Sequence, residues 1–214
     1  MRRSLAAGLL LAALAGRGSA ETVVTVAGGG NGDGGPATSA EIGSIGDLLL
    51  DSRGNVFLVD QIHSSIRRID AASRTIETVF VGDEKLKPYD LAWGAPGKLL
   101  FTSGRRVEEL DLAAGRRRTV AGNGEWLWKE AGVELAKPAS EVPLGHVQGL
   151  AADARGAVFF GLPDRGMVLR VDPATFRLEI VYRVEPAVLA LGSESLPLVR
   201  DLALDASGVL HVAD

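Results

Sequence analysis

The stretch Asp47-Leu-Leu-Leu-Asp51-Ser-Arg-Gly54-Asn-Val-Phe-Leu-Val-Asp60 decides the fold. It reads as a short apolar strand, a turn closed by a glycine and a second apolar strand. The pattern returns as Asp90-Leu-Ala-Trp-Gly-Ala-Pro-Gly97-Lys-Leu-Leu-Phe101, as Gly149-Leu-Ala-Ala-Asp153-Ala-Arg-Gly156-Ala-Val-Phe-Phe160, and as Asp201-Leu-Ala-Leu-Asp205-Ala-Ser-Gly208-Val-Leu-His-Val-Ala-Asp214. All four copies align without a gap from the first residue to the turn glycine, and their starts lie 43, 59 and 52 residues apart. Self-similarity at such a period marks a repeat architecture.

Around each hairpin the same elements recur. In the first repeat, strands are predicted over 47–51, 55–60, 65–70 and 75–80. In the second, the later strands fall at 106–111 and 117–121, and in the third at 167–172 and 177–182. Every third strand ends on an aliphatic residue followed by Asp: Ile69-Asp70, Leu110-Asp111 and Val171-Asp172. An Asp at that place starts a turn by accepting bonds from nearby backbone N–H groups. The segment Thr22–Ala27 fits a further strand, Gly28 to Pro36 is loop, and Ala37 to Ile45 has room for a helical turn. Four short antiparallel strands repeated about every fifty residues are the pattern of a β-propeller blade.

Two linking segments also match, Thr25-Val-Ala-Gly28 and Thr119-Val-Ala-Gly122. The loop after the second is longer and carries Trp126 and Trp128. Two loop tryptophans either cover a blade edge or form a recognition surface, and covering is the commoner use.

Residues 1–20 stand apart: Met1-Arg2-Arg3 is basic, Leu5 to Ala15 is apolar, and Gly18-Ser19-Ala20 offers small residues for cleavage. The apolar run is too short for a comfortable membrane span, so a cleaved secretory signal is expected, with a secreted or periplasmic location and no integral membrane span once it is removed. Three of the 23 basic residues lie there with no acid, which leaves 20 basic against 27 acidic residues, a net charge of −7. That balance opposes nucleic-acid binding, which needs a basic face. There is no cysteine, so an exported chain would rest on packing and sheet hydrogen bonds alone.

The residues Thr25-Val-Ala-Gly-Gly-Gly-Asn-Gly-Asp-Gly-Gly-Pro-Ala37, Asp51-Ser-Arg-Gly-Asn-Val-Phe-Leu-Val-Asp60 and Ser65-Ile-Arg-Arg-Ile-Asp70 resemble the NHL-repeat family. The resemblance spans nearly all of residues 22–214 and is poorest in the second repeat, where Gly94 replaces the Asp of the other copies. It implies an all-β chain, a propeller of four-stranded antiparallel blades in a six-bladed ring. About three and a half blades are present in a domain of residues 21–214, and the chain is expected to be part of a longer protein.

Chemistry-bearing motifs are scarce. No Gly-x-Ser-x-Gly elbow, His-Glu-x-x-His motif or cysteine nucleophile occurs. Gly30-x-Gly32-x-x-Gly35 formally fits a dinucleotide pattern, but Pro36 and the surrounding strands deny it the helix that pattern requires. Asp33 alone is too little for calcium, which takes six to eight oxygens. Of the histidines, His63 carries no motif, His211 falls within a strand, and His146 precedes an innermost strand and points to a channel mouth.

Superposing the repeats brings out position one: Asp47, Asp90, Gly149 and Asp201. In a propeller these residues would meet at one mouth of the channel. Carboxylates gathered there would bind Ca²⁺ or a cationic group; otherwise each Asp binds a neighbouring blade's backbone or an arginine such as Arg200, and this structural reading is preferred. The sequence therefore favours an exported binding platform for a protein, glycan or small ligand, with His146, Arg200, Trp126 and Trp128 as mouth or loop contacts. The alternative is a Ca²⁺-dependent propeller hydrolase or lyase of the lactonase or esterase type. Its metal ligands would be Asp47, Asp90 and Asp201, and the bound metal would activate water.

Overall fold

The computed structural model describes residues 32–128, 132–184 and 199–213; the expected signal segment at 1–20 and the strand at 22–27 lie outside them. The chain divides into two compact units, Met1–Val81 and Gly82–Asp214. In the first, β1 (Ile45–Leu50), β2 (Val56–Asp60), β3 (Ser65–Ile69) and β4 (Ile76–Val81) form one antiparallel sheet in chain order. The second unit holds a sheet of β5 (Leu91–Trp93), β6 (Lys98–Ser103), β7 (Arg106–Asp111) and β8 (Arg116–Ala121). It continues with β9 (Gln148–Ala152), β10 (Val158–Leu162), β11 (Met167–Val171) and β12 (Leu178–Arg183), and with the hairpin β13 (Asp201–Leu204) and β14 (Leu210–Ala213). Among the described residues these make three complete β-propeller blades and two strands of a fourth. Apart from three-residue 3-10 turns, the described residues contain no helix, and none long and apolar enough to cross a membrane.

The repeated hairpin owes its form to two residues. Its glycine stands at positive φ in every copy: 81° at Gly54, 74° at Gly97, 89° at Gly156 and 84° at Gly208. This left-handed backbone costs an L-residue about 1–2 kcal/mol. Three residues earlier, one oxygen of Asp51 accepts the N–H groups of Arg53 and Asn55, and Asp153 and Asp205 do the same in their blades. The Asp closing each third strand acts as expected: Asp70, Asp111 and Asp172 each accept two backbone N–H bonds at 2.8–3.0 Å.

The two matching linkers perform one task. Ahead of the first blade, Ala37 N–H donates to Arg74 O at 2.9 Å and Ile76 N–H to Gly35 O at 3.1 Å, which ties the linker to the start of β4. Ahead of the third, Ala139 N–H donates to Phe176 O at 2.8 Å beside the start of β12. Each linker turns once, at Ala37–Ser39 and Ala139–Glu141, directly after a proline. The turn expected over 37–45 is thus three residues long, since Ala40 is already extended and β1 begins at Ile45.

Burial follows the strands. Phe57, Leu58, Val59, Ile66 and Ile76 are buried in the first unit. In the second, Leu100, Val107, Leu144, Leu150, Phe160 and Leu169 belong to one apolar cluster shared by its two full blades. A bulge recurs in the fourth strand of each complete blade, at Val79, Val120 and Val181, opposite Ile66–Arg67, Val107–Glu108 and Val168–Leu169 of the third strand. The third-strand residue beside it is buried and is Arg67, Glu108 or Leu169, opposite Thr78, Thr119 or Ile180. Arg67 binds Asp33 at 2.7 Å, and Asp33 also accepts from Thr78. Glu108 binds Arg117 at 2.6 Å and the Thr119 hydroxyl at 3.1 Å. The third blade fills the same place with two aliphatic side chains.

Candidate ligand-binding cleft

In the second unit, position one is used for joining blades. The Asp90 carboxylate accepts the Gly149 N–H at 3.1 Å, reaching 59 residues along the chain, and the Thr102 hydroxyl at 2.9 Å. Gly149 sits at φ 69°, and a Cβ there would lie 3.0 Å from the Asp201 Cα. Three copies of position one therefore come together, and the middle copy is glycine because the next inner strand leaves no room for a side chain. Asp201 accepts the Leu202 N–H at 2.8 Å, and in the first unit Asp47 accepts the Leu48 N–H at 2.7 Å. Among the described residues, no three His, Cys, Asp or Glu side chains gather as a metal would require.

The antiparallel order of β5 to β8 sets the start of β5, the β6–β7 turn and the end of β8 at one end of that sheet. A cleft of about 500 Å³ opens there, lined by Lys85, Arg105, Arg106, Trp126, His146 and Glu84 among others. The Arg105 guanidinium lies 4.9 Å from the centre of the Trp126 ring, a cation–π contact. Arg105 and Trp126 also line a second cleft of about 460 Å³, which includes Trp128, Glu125 and Glu134.

Backbone contacts hold the walls. Leu127 N–H donates to Leu144 O at 3.2 Å, Val147 N–H donates to Gly104 O at 2.9 Å, and the Arg165 guanidinium donates to Leu127 O at 3.1 Å and to Trp128 O. Trp126 and Trp128 are 40% and 70% exposed, whereas the intervening Leu127 is buried. The covering role expected of the two indoles thus falls to Leu127, because an extended chain turns alternate side chains to opposite sides. His146 lines the cleft, and its N–H donates to Asp164 at 3.2 Å. Arg200 is exposed, donates its N–H to Ala213 O at 2.8 Å, pairs with no carboxylate among the described residues and does not line the cleft.

Sequence reasoning passed over Lys85, Arg105 and Arg106. The available signal was Arg105-Arg106 directly after Ser103-Gly104, two adjacent cations in a turn between second and third strands. It also passed over the first unit's His63, whose Nδ1 lies 2.8 Å from Asp60. Burial pushes the Asp60 carboxyl up, but bonds from the His63 ring, the His63 N–H and the Gly43 N–H outweigh it and hold the group below the ordinary 3.8.

No family model matches the chain, and no curated protein matches it by sequence. Solved structures do match. A chain of the nidogen/laminin complex superposes with a TM-score of 0.57 at 18% identity, over 79% of this chain and 56% of that one. A streptogramin B lyase gives 0.56 at 13% identity, over 82% and 49%. An auxiliary nutrient binding protein from Bacteroides thetaiotaomicron gives 0.58 at 15% identity, over 83% and 38%. The chain spans about half the length of these structures or less, and at such identities the likeness establishes the β-propeller fold.

Proposed function

We propose that this chain belongs to an exported NHL-type β-propeller that works as a binding platform, with its ligand seated at the Arg105–Trp126 stack. The observation that carries the reading is this stack: an exposed indole with a guanidinium over its ring, both lining two clefts. Tryptophan and arginine are the side chains that dominate recognition energetics. The repeated sheets are occupied with holding the fold, so function falls to the loops at the strand ends. Export follows from the leader-like residues 1–20, and the NHL assignment from the motifs at 25–37, 51–60 and 65–70.

The metal-dependent hydrolase or lyase is the less favoured reading. A Ca²⁺ would need several converging oxygens, and the Asp90 carboxylate is already engaged by Gly149 and Thr102.

A fragment library of neutral, cationic and anionic compounds, screened against the full exported protein by ligand-observed NMR, tests the platform. Hits should appear and be lost in Trp126→Ala and in Arg105→Ala, with melting temperatures unchanged. Hits that survive both substitutions, or an absence of hits, would overturn it.

A further inference from the structure

The cleft has an unusual charge pattern for this chain. The molecule is acidic, with a formal net charge of −4. Several of its cations elsewhere are paired, Arg67 with Asp33, Lys98 with Asp111, Arg117 with Glu108, Arg118 with Glu109 and Arg170 with Glu179, and others such as Arg200 stand singly among the described residues. Lys85, Arg105 and Arg106 line one cleft, and among the described residues none of them forms an ion pair. Among the described residues, the one carboxylate lining it is Glu84.

Both guanidinium groups are held in place without being neutralised. Arg106 donates to Asn123 O at 2.7 Å and Arg105 to Gly124 O at 3.4 Å, so main-chain carbonyls orient them without an ion pair. A guanidinium has five N–H donors, so most remain available to a ligand. Gly124 completes the seat: a Cβ there would lie 2.5 Å from the Arg106 Nη2, so only glycine lets that side chain lie flat against the loop. Fixed, planar, charged donors are suited to oxyanions, which they can bind through paired hydrogen bonds.

The size of the cleft decides the scale of the ligand. A volume of about 500 Å³ lies within the range of small-molecule sites, roughly 300–1,000 Å³, whereas a stable macromolecular contact needs about 800 Å² on each partner. Trp126 supplies a flat apolar wall beside the cations. We infer that the cleft takes a small ring-bearing oxyanion, with its charged group on Lys85, Arg105 and Arg106 and its ring against Trp126. This rests on the binding-platform reading and names the class of ligand.

Calorimetric titration of the full exported protein with naphthoate, naphthyl phosphate and the neutral naphthamide tests it. The better oxyanion should bind at least about tenfold more tightly than the amide, and its advantage should shrink as salt rises. Lys85→Ala and Arg105→Ala should each reduce that advantage; Lys85 makes none of the bonds that hold the loop, so its variant tests charge apart from folding. Whichever oxyanion binds better supports the inference and tells carboxylate from phosphate. Equal binding of amide and oxyanions, lost in Trp126→Ala, overturns the anion inference and leaves the platform standing. If no naphthyl compound binds while other fragments bind at Trp126, the inference also fails. If nothing binds at all, both readings fail.

Discussion

Two glycines with similar backbone angles stand in different surroundings. Gly97 has φ 74° and open space where a Cβ would be, whereas Gly149 has φ 69° and the Asp201 backbone at 3.0 Å. Gly97→Ala should therefore cost only the conformational term, about 1 kcal/mol. Gly149→Ala adds a backbone clash and should cost about 2–4 kcal/mol, and urea denaturation of the two variants side by side measures the difference. Carboxylates set the acid limit of the fold. The hydrogen bond from Lys98, with further bonds from the Ala114 and Ala113 N–H groups, lowers Asp111 from 3.8 to about 2. A depressed carboxyl contributes stability above its unfolded value and loses it as pH falls through the folded one. The contribution of Asp111 is thus complete above about pH 4 and fades toward pH 2, and that of Asp60 fades in the same direction. Lys98→Met should flatten this part of the stability–pH curve, as urea midpoints from pH 5 to pH 2 would show.

Each blade's third strand solves one packing problem in its own way. The buried residue beside the fourth-strand bulge is an arginine held by Asp33, a glutamate held by Arg117 and Thr119, or a leucine facing isoleucine. Buried ion pairs are often replaceable by apolar side chains of similar volume, while removing a single partner is costly. Glu108→Ala should destabilise by about 2 kcal/mol, less than a fully buried pair would, because Arg117 is 37% exposed and can rehydrate. Glu108→Leu with Thr119→Ile, the pair used by the third blade, should stay within about 1 kcal/mol of the parent. Chemical denaturation of both variants checks this; a double variant as weak as Glu108→Ala would show that the ion pair itself is needed. Such exchangeability also explains why this position was invisible in the repeat alignment. The alignment matches residue types, and here geometry is preserved while chemistry changes.

For the whole molecule, the binding and enzyme readings predict different responses to metal. With Asp90 bound to the next blade, melting temperatures should be equal, to within about a degree, in millimolar Ca²⁺ and in chelator. A rise of many degrees with Ca²⁺ would restore Asp47, Asp90 and Asp201 as ligands. Asp90→Ala should lower stability by about 2 kcal/mol, the typical worth of a bond to a charged group, because it leaves the Gly149 N–H without this acceptor. Asp90→Asn, which keeps an acceptor, should recover most of that loss in the same melting assay.

The strands, their order and their turns were legible in the residues because they depend on local chemistry. A glycine at positive φ, an Asp that collects N–H groups and runs of apolar residues act over a few positions; the glycine recurs in all four copies and the Asp in three. The site was legible only in pieces. Trp126 and His146 could be singled out one at a time, but the exposure of both indoles depends on Leu127 being buried between them, with its N–H bonded to Leu144 O. The meeting of Lys85, Arg105 and Arg106 depends on how far the Gly124 loop folds back. Position one shows the same division. Its periodicity is a property of the sequence, but the Asp90 bond to Gly149 and the closeness of Asp201 arise only when neighbouring inner strands pack together, across 59 residues of chain.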